Sequence, residues 1–241
     1  MISDLVLFCG GNSIYDSNRP KPLALMPNTV SILGNYLRQD PLKRIPRIVA
    51  LVEERHTKEF QLDCTRQKST AMNIRLLEVS NGSTTFEKMQ QFLLSRDVSG
   101  DTFLFSYPDI FFFGDWKQLL EFDYVSHKML ISGVYLQTRF PEINFNSYSQ
   151  RVHSVSLRPS RIPANTKSIY GGHFGASRKC LEESLLEFQK IQRQELHPSL
   201  EGDFFTFLSS VGRLYVSSLE GAWKKADSTK EMMEIIQLIE D

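Results

Sequence analysis

"LFCGGNSIYDSNRPKPLALM", residues 7–26, is an apolar run that meets two glycines, crosses a polar loop and ends in Pro-Lys-Pro. An apolar run bounded by glycines predicts a buried strand opening into a loop. Glycine lets a backbone come close to a ligand, and successive N–H groups at a helix start carry partial positive charge. Lys21 adds a point charge stiffened by prolines on both sides, and Arg19 offers a fork for phosphate oxygens. The stretch suits either a phosphate cradle around Gly10 and Gly11 or a plain strand-to-loop turn with a solvated Lys21. Neither GxxxxGKS/T nor GxGxxG is present, so the common phosphate fingerprints do not decide between them.

Working outward, apolar strands alternate with helical periodicity. "PNTVSILGNYLRQ" (27–39) predicts a helix with Pro27 near its start and Val30, Leu33, Tyr36 and Leu37 at helical spacing. "PRIVALVEE" (46–54) predicts a strand, "TKEFQLDCTRQ" (57–67) a short helix, "NIRLLEVS" (73–80) a strand and "STTFEKMQQFLLS" (83–95) a helix. "TFLFSYPD" (102–109) predicts a fourth strand, followed by helix-like "DWKQLLEFDYVSHK" (115–128). Such alternation indicates a parallel sheet wrapped by helices, with ligands at the carboxyl ends of the strands.

The second half differs. "MLISGVYLQ", "RVHSVSLRP" and "SIYGGHFGAS" predict strands without long helices between them. Helices follow at "RKCLEESLLEFQKIQ" and near "LEGDFFTFLSSV", then one strand over "GRLYVSSLEGAW". The tail "TKEMMEIIQLIED" is amphipathic, with Met233, Ile236 and Leu238 at helical spacing. With no flexible linker, residues 1–241 read as a single α/β domain with a mixed sheet, divided into halves 1–125 and 126–241.

Composition narrows the function classes. A chain of 241 residues with 41% hydrophobic content suits one domain with a sizeable core. Lys+Arg 28 balance Asp+Glu 28, which argues against nucleic acid as a partner. Cys9, Cys64 and Cys180 are odd in number and widely spaced, which points to a reducing, cytoplasmic setting. The first apolar run is too short for a signal peptide or a membrane span of roughly 20 residues.

Four segments together resemble the sugar-1-phosphate nucleotidyltransferases, and most closely the glucose-1-phosphate cytidylyltransferase type. They are "GGN…RPKPL", "DTFLFSYPD", "SIYGGHFGAS" and "LEGDFFTFLSSVGRLYVSSLEGAWKKADSTKE", in the family's order and across most of the chain. The resemblance implies a Rossmann-like (GT-A-like) nucleotidyltransferase fold with a mixed, mostly parallel sheet flanked by helices. It implies attack by a sugar phosphate on the α-phosphate of an NTP, with release of pyrophosphate. It also implies Mg²⁺, an NTP with CTP favoured, and a phosphorylated sugar or polyol acceptor used in surface polysaccharide.

The same resemblance assigns roles. Asp109 and Asp227 would hold metal; their plain alternatives are a strand-end turn after Pro108 and a helix N-cap before "STKEMM". Lys21 would hold phosphate oxygens. Gly82 falls near the base, and Thr84 is either a base contact or a helix N-cap. Gly171 and Gly172 would let the sugar approach the backbone, unless they mark a β-bulge. Glu201 would bind sugar hydroxyls or start a surface helix, and Trp223 would stack on ligand or pack the core.

The match departs from the family at named places. The first loop lacks Gly-Thr-Arg, leaving Arg19 as its only arginine. "SLRPS" puts Arg158 where the family's sugar-phosphate lysine stands, and the two side chains differ in phosphate geometry. Tyr170 replaces an asparagine, and Pro108 replaces the glycine before the metal aspartate. Two acids kept and two basic positions changed fit either a divergent enzyme or a relative that binds nucleotide or sugar phosphate without turnover. The retained acids favour the enzyme. A GT-A glycosyltransferase ranks third, because "YPDIFFFGD" separates Asp109 from Asp115 too widely for Asp-x-Asp. His173 reads as a satisfied strand histidine or as part of the sugar pocket. "DIFFFGDW" suits core or an interface in a homo-oligomer, and the sequence leaves both open.

Overall fold

The computed structural model describes residues 2–10, 19–66, 74–95, 98, 100–124, 128–134, 142–146, 148–156, 169–191 and 197–240. Gly11 and Arg158 lie outside the described residues. The first half alternates as expected: β1 (Asp4–Cys9), α1 (Ile32–Tyr36), β2 (Arg47–Glu53), α2 (Thr57–Arg66), β3 (Ile74–Val79) and α3 (Thr85–Leu94). Next come β4 (Thr102–Ser106), β5 (Ile110–Gly114), α4 (Lys117–Leu120), β6 (Met129–Val134), β7 (Glu142–Phe145) and β8 (Val152–Ser156). The chain continues with β9 (Ile169–Ser177), α5 (Arg178–Ile191), α6 (Phe205–Ser210), β10 (Leu214–Ser218), β11 (Gly221–Lys225) and α7 (Thr229–Glu240). The class is α/β with a mixed sheet, and the parallel pairing lies along β1–β2–β3 and β6–β10.

The described residues form two compact units, each assembled from separate stretches of chain. One contains residues 3–83, 105–114 and 221–241; the other contains 1–2, 84–104 and 115–220.

In the first unit β1 pairs in parallel with β2, and β2 with β3. Every residue of β1 is buried, the mark of a strand covered on both faces. Helix α1 is much shorter than the periodicity over 27–39 predicts. Pro27 and Asn28 form a turn, with Thr29 N–H donating to Met26 O at 2.9 Å and Thr29 itself at φ 61°. The helix starts only after Ser31, whose hydroxyl accepts from Gly34 N–H at 2.9 Å and donates to Asp63 at 2.8 Å. The cluster "DIFFFGDW" supplies a strand, β5, that composition alone did not reveal. β5 runs antiparallel to β11. Phe111 and Phe112 are buried, and Phe111 meets Tyr36 edge-on at 5.6 Å, so these two rings are core of this unit. On α7 the buried face is Met232, Ile235 and Ile236, whereas Met233 is exposed.

In the second unit β6 lies parallel to β10 and antiparallel to β9, with β7 paired to both β8 and β9. "GRLYVSSLEGAW" is two strands, not one. β10 closes where Leu219 N–H donates to Gly133 O at 2.9 Å, and Gly221 at φ 154° starts β11 in the other unit. The helix expected over 115–128 stops after one turn. Asp115 accepts from Lys117 N–H at 2.7 Å to start it, and the buried Tyr124 hydroxyl donates to Leu119 O at 2.6 Å, claiming a carbonyl the next turn would need. Phe86, Phe188 and Phe204 pack with ring centroids 5.4 Å apart in this unit's core.

Candidate active site

The first unit gathers three of the residues singled out from sequence. β1 ends at Cys9, and Gly10 N–H folds back onto Phe8 O at 3.2 Å. Further along, Lys21–Leu23 make a 3-10 turn between Pro20 and Ala24, with Leu23 N–H on Pro20 O at 2.9 Å. The fixed φ of Pro20 and Pro22 stiffens the backbone on both sides of Lys21.

Asp109 sits in the tight turn between β4 and β5, closed by Ile110 N–H on Tyr107 O at 3.0 Å. Asp227 follows β11 by two residues. The β5–β11 register sets Ile110 opposite Lys225. One step further, Ala226 N–H donates to Asp109 O at 2.9 Å. An antiparallel ladder thus brings together two acids that are far apart in sequence.

Lys21 lies between them. Its Nζ donates to Asp109 Oδ2 at 2.6 Å and also to Asp227 Oδ1. The side chains of Lys21, Asp109 and Asp227 are only 13%, 16% and 22% exposed. Lys225 completes the group, its Nζ 3.0 Å from Asp227 Oδ2. Burial alone would push the Lys21 ammonium down, but the Asp109 and Asp227 carboxylates outweigh it and hold its pKa above the ordinary value. For Asp227, burial pushes up, while bonds from Lys21 and Lys225 pull its carboxyl below the usual range. Next to this group, Tyr36 Oη and Ser106 Oγ share a buried hydrogen bond of 2.6 Å. Burial above all, and secondarily the nearby Asp109, raises this phenol well out of the physiological range.

Lys225 was not singled out from the sequence: it meets Asp227 through the bend after β11, where Asp227 N–H donates to Lys225 O at 2.9 Å.

The other sequence candidates are placed as follows. Arg19 is half-buried, two residues before Lys21, and forms no ion pair with Asp109 or Asp227. Gly10 is half-buried at the end of β1. Gly82 occupies a turn at φ 76° and donates its N–H to Glu53 Oε2 at 3.3 Å. Trp223 lies on β11 opposite Phe112 and is half-buried.

Thr84, Gly171, Gly172 and Glu201 belong to the second unit. Thr84 caps α3: its hydroxyl accepts from Glu87 N–H at 3.2 Å, and Glu87 returns a bond to Thr84 N–H at 2.7 Å. A Cβ at Gly171 would lie 2.7 Å from Ser132 Oγ, so close packing explains that glycine. Gly172 has φ 86°, and the β6–β9 register slips between Ile131 and Gly133. Glu201 lies in a wide helical turn over Leu200–Phe204, and its charge adds to the burial that raises Tyr170. His173 is fully buried edge-on to Trp116 at 4.7 Å. Burial pushes its pKa down to about 3, against a backbone hydrogen bond with Gly171 that raises it.

No group of three or more His, Cys, Asp or Glu that could hold a metal exists among the described residues. The two convergent carboxylates are an oxygen-only donor pair. That suits Mg²⁺, which takes one or two carboxylates and fills its remaining positions with water and substrate phosphate. No helix among the described residues is long and apolar enough to cross a membrane.

The sequence matches no family model, and no curated protein matches it. Solved structures do match. HddC from Yersinia pseudotuberculosis superposes with a TM-score of 0.76 at 14% identity, over 98% of this chain and 99% of that one. HddC complexed with GMP-PN gives 0.72 at 14% identity over the same shares. The inositol-1-phosphate CTP transferase of T. maritima gives 0.74 at 12% identity, over 100% of this chain and 97% of its own. At these identities the likeness shows a shared fold.

Proposed function

We propose that this protein is a Mg²⁺-dependent nucleotidyltransferase that joins an NTP to a sugar phosphate or similar phosphorylated acceptor, giving an activated nucleotide-sugar and pyrophosphate. The observation that carries the reading is the junction of Lys21, Asp109 and Asp227. These are the residues to which the sequence resemblance assigns phosphate and metal, in a fold shared with a CTP transferase. The GMP-PN complex of HddC supports a nucleotide as ligand, and the T. maritima transferase supports CTP as the base to try first.

In this reading an acceptor phosphate oxygen forms a bond to the α-phosphorus while the bond to the pyrophosphate oxygen breaks. Asp109 and Asp227 would hold the metal, which when bound neutralises charge on the phosphates. Lys21 binds triphosphate oxygens as a point charge, and Arg19 is the second cation of that loop. The sequence resemblance assigns the acceptor phosphate to Arg158. Lys225 keeps one oxygen of Asp227 occupied and so sets the orientation of that carboxylate.

The test is a thermal-shift panel of CTP, UTP, GTP, ATP and dTTP, each with and without Mg²⁺. A ligand that binds only the native state raises stability as RT ln(1 + [L]/Kd). A metal-dependent rise with one nucleotide, followed by pyrophosphate release on addition of sugar phosphates, is the expected result. No rise with any nucleotide would sink the enzyme reading and leave a relative that binds another ligand.

A further inference from the structure

We infer that Lys21 is a resident counter-ion that keeps a bare divalent cation off Asp109 and Asp227, so that metal enters only together with a triphosphate. The inference rests on the metal assignment made above and adds an order of events to it.

Three features lead there. Lys21 Nζ bonds both carboxylates at once, through Asp109 Oδ2 and Asp227 Oδ1. The second oxygen of Asp227 is held by Lys225 at 3.0 Å, which orients that carboxylate with Oδ1 towards Lys21. The backbone holds Asp109, the neighbour of Asp227, and Lys21 in place. Asp109 and Ala226 are locked in the ladder by a 2.9 Å bond, and Lys21 sits in a turn between Pro20 and Pro22. A cation that takes up both carboxylates at once must take the place that the Lys21 ammonium holds between them.

A bare cation would displace a Lys21 side chain that is only 13% exposed from both of its acids. Separating a partly buried ammonium from its partners opposes binding. A triphosphate changes this balance, because its oxygens give the displaced ammonium a new anion. Metal and nucleotide then bind cooperatively, with the lysine moving from carboxylate to phosphate.

The experiment is a titration of the full chain with Mn²⁺ alone, followed by loss of the free-ion electron paramagnetic resonance signal. Lys21→Met should bind Mn²⁺ at least about tenfold more tightly than wild type, and adding Asp227→Asn should remove the gain. Equal, measurable affinity in wild type and Lys21→Met would overturn the inference and leave the metal reading standing. Binding by neither protein would overturn both. If Lys21→Met does not fold, wild type still decides through thermal stabilisation by Mg²⁺, by inorganic tripolyphosphate and by the two together. Stabilisation by the pair beyond the sum of each alone is the expected result. Full stabilisation by Mg²⁺ alone, or none beyond the sum, overturns the inference.

Discussion

Ala226 donates its backbone N–H to the carbonyl oxygen of Asp109 at 2.9 Å, one step past the Ile110–Lys225 pair of the β5–β11 ladder. Backbone bonds, then, hold the two acids together, although their charges repel. Asp109→Asn and Asp227→Asn should each leave the far-UV circular dichroism spectrum unchanged. Each should lower kcat by about 10²–10³-fold, the usual loss when one group facing developing charge is removed. Wild-type pyrophosphate release from Asp109→Asn would contradict the metal assignment.

The same ladder starts at Gly221, opposite Gly114. A Cβ there would lie 2.3 Å from Phe113 O, at φ 154°. Gly221→Ala should therefore destabilise the fold by roughly 2 kcal/mol, read as a lower urea midpoint. It should also lower activity, because β11 leads into Asp227.

Lys225 bonds the carboxylate oxygen of Asp227 that Lys21 leaves alone. Lys225→Met should raise the Mg²⁺ concentration for half-maximal rate by about tenfold, the lower end for partners that orient metal ligands. A change in nucleotide KM with the Mg²⁺ dependence untouched would assign Lys225 to the substrate instead.

Thr84 caps α3, and its hydroxyl is engaged with Glu87 N–H. Thr84→Ala should cost about 1 kcal/mol of stability and leave nucleotide affinity by calorimetry unchanged. Lost affinity at unchanged stability would restore the base-contact reading.

Buried His173 makes stability fall in acid. Its folded pKa of about 3 lies below the ordinary 6.5, so the unfolded chain binds the extra proton. Its contribution is full above pH 6.5 and is lost as pH falls from there towards 3, at about 1.4 kcal/mol per pH unit. Denaturant midpoints of wild type and His173→Phe at pH 7.5 and pH 5 check this. The wild type should lose more stability on acidification than the variant, and parallel losses would refute the assignment.

Local pattern was enough to read much of this protein. The apolar runs of β1, β2 and β4 and the periodic faces of α3 and α5 are visible in the sequence because each buries a continuous run or one stripe. Lys21, Asp109 and Asp227 were legible as candidates because the segments that hold them resemble those of the sugar-1-phosphate nucleotidyltransferases. Where tertiary bonds compete with propensity, local pattern misleads. The Tyr124 hydroxyl stops α4 at one turn, the Asn28–Thr29 turn delays α1 to Ile32, and β10 and β11 part at Leu219 to serve different units. Only the folded chain reveals that Lys21 stands between the two aspartates, that Lys225 grips one of them, and that His173 is sealed in against Trp116. Periodicity reports which side of an element is buried. The partners across a ladder are set by register, and register between distant strands depends on the whole packed unit.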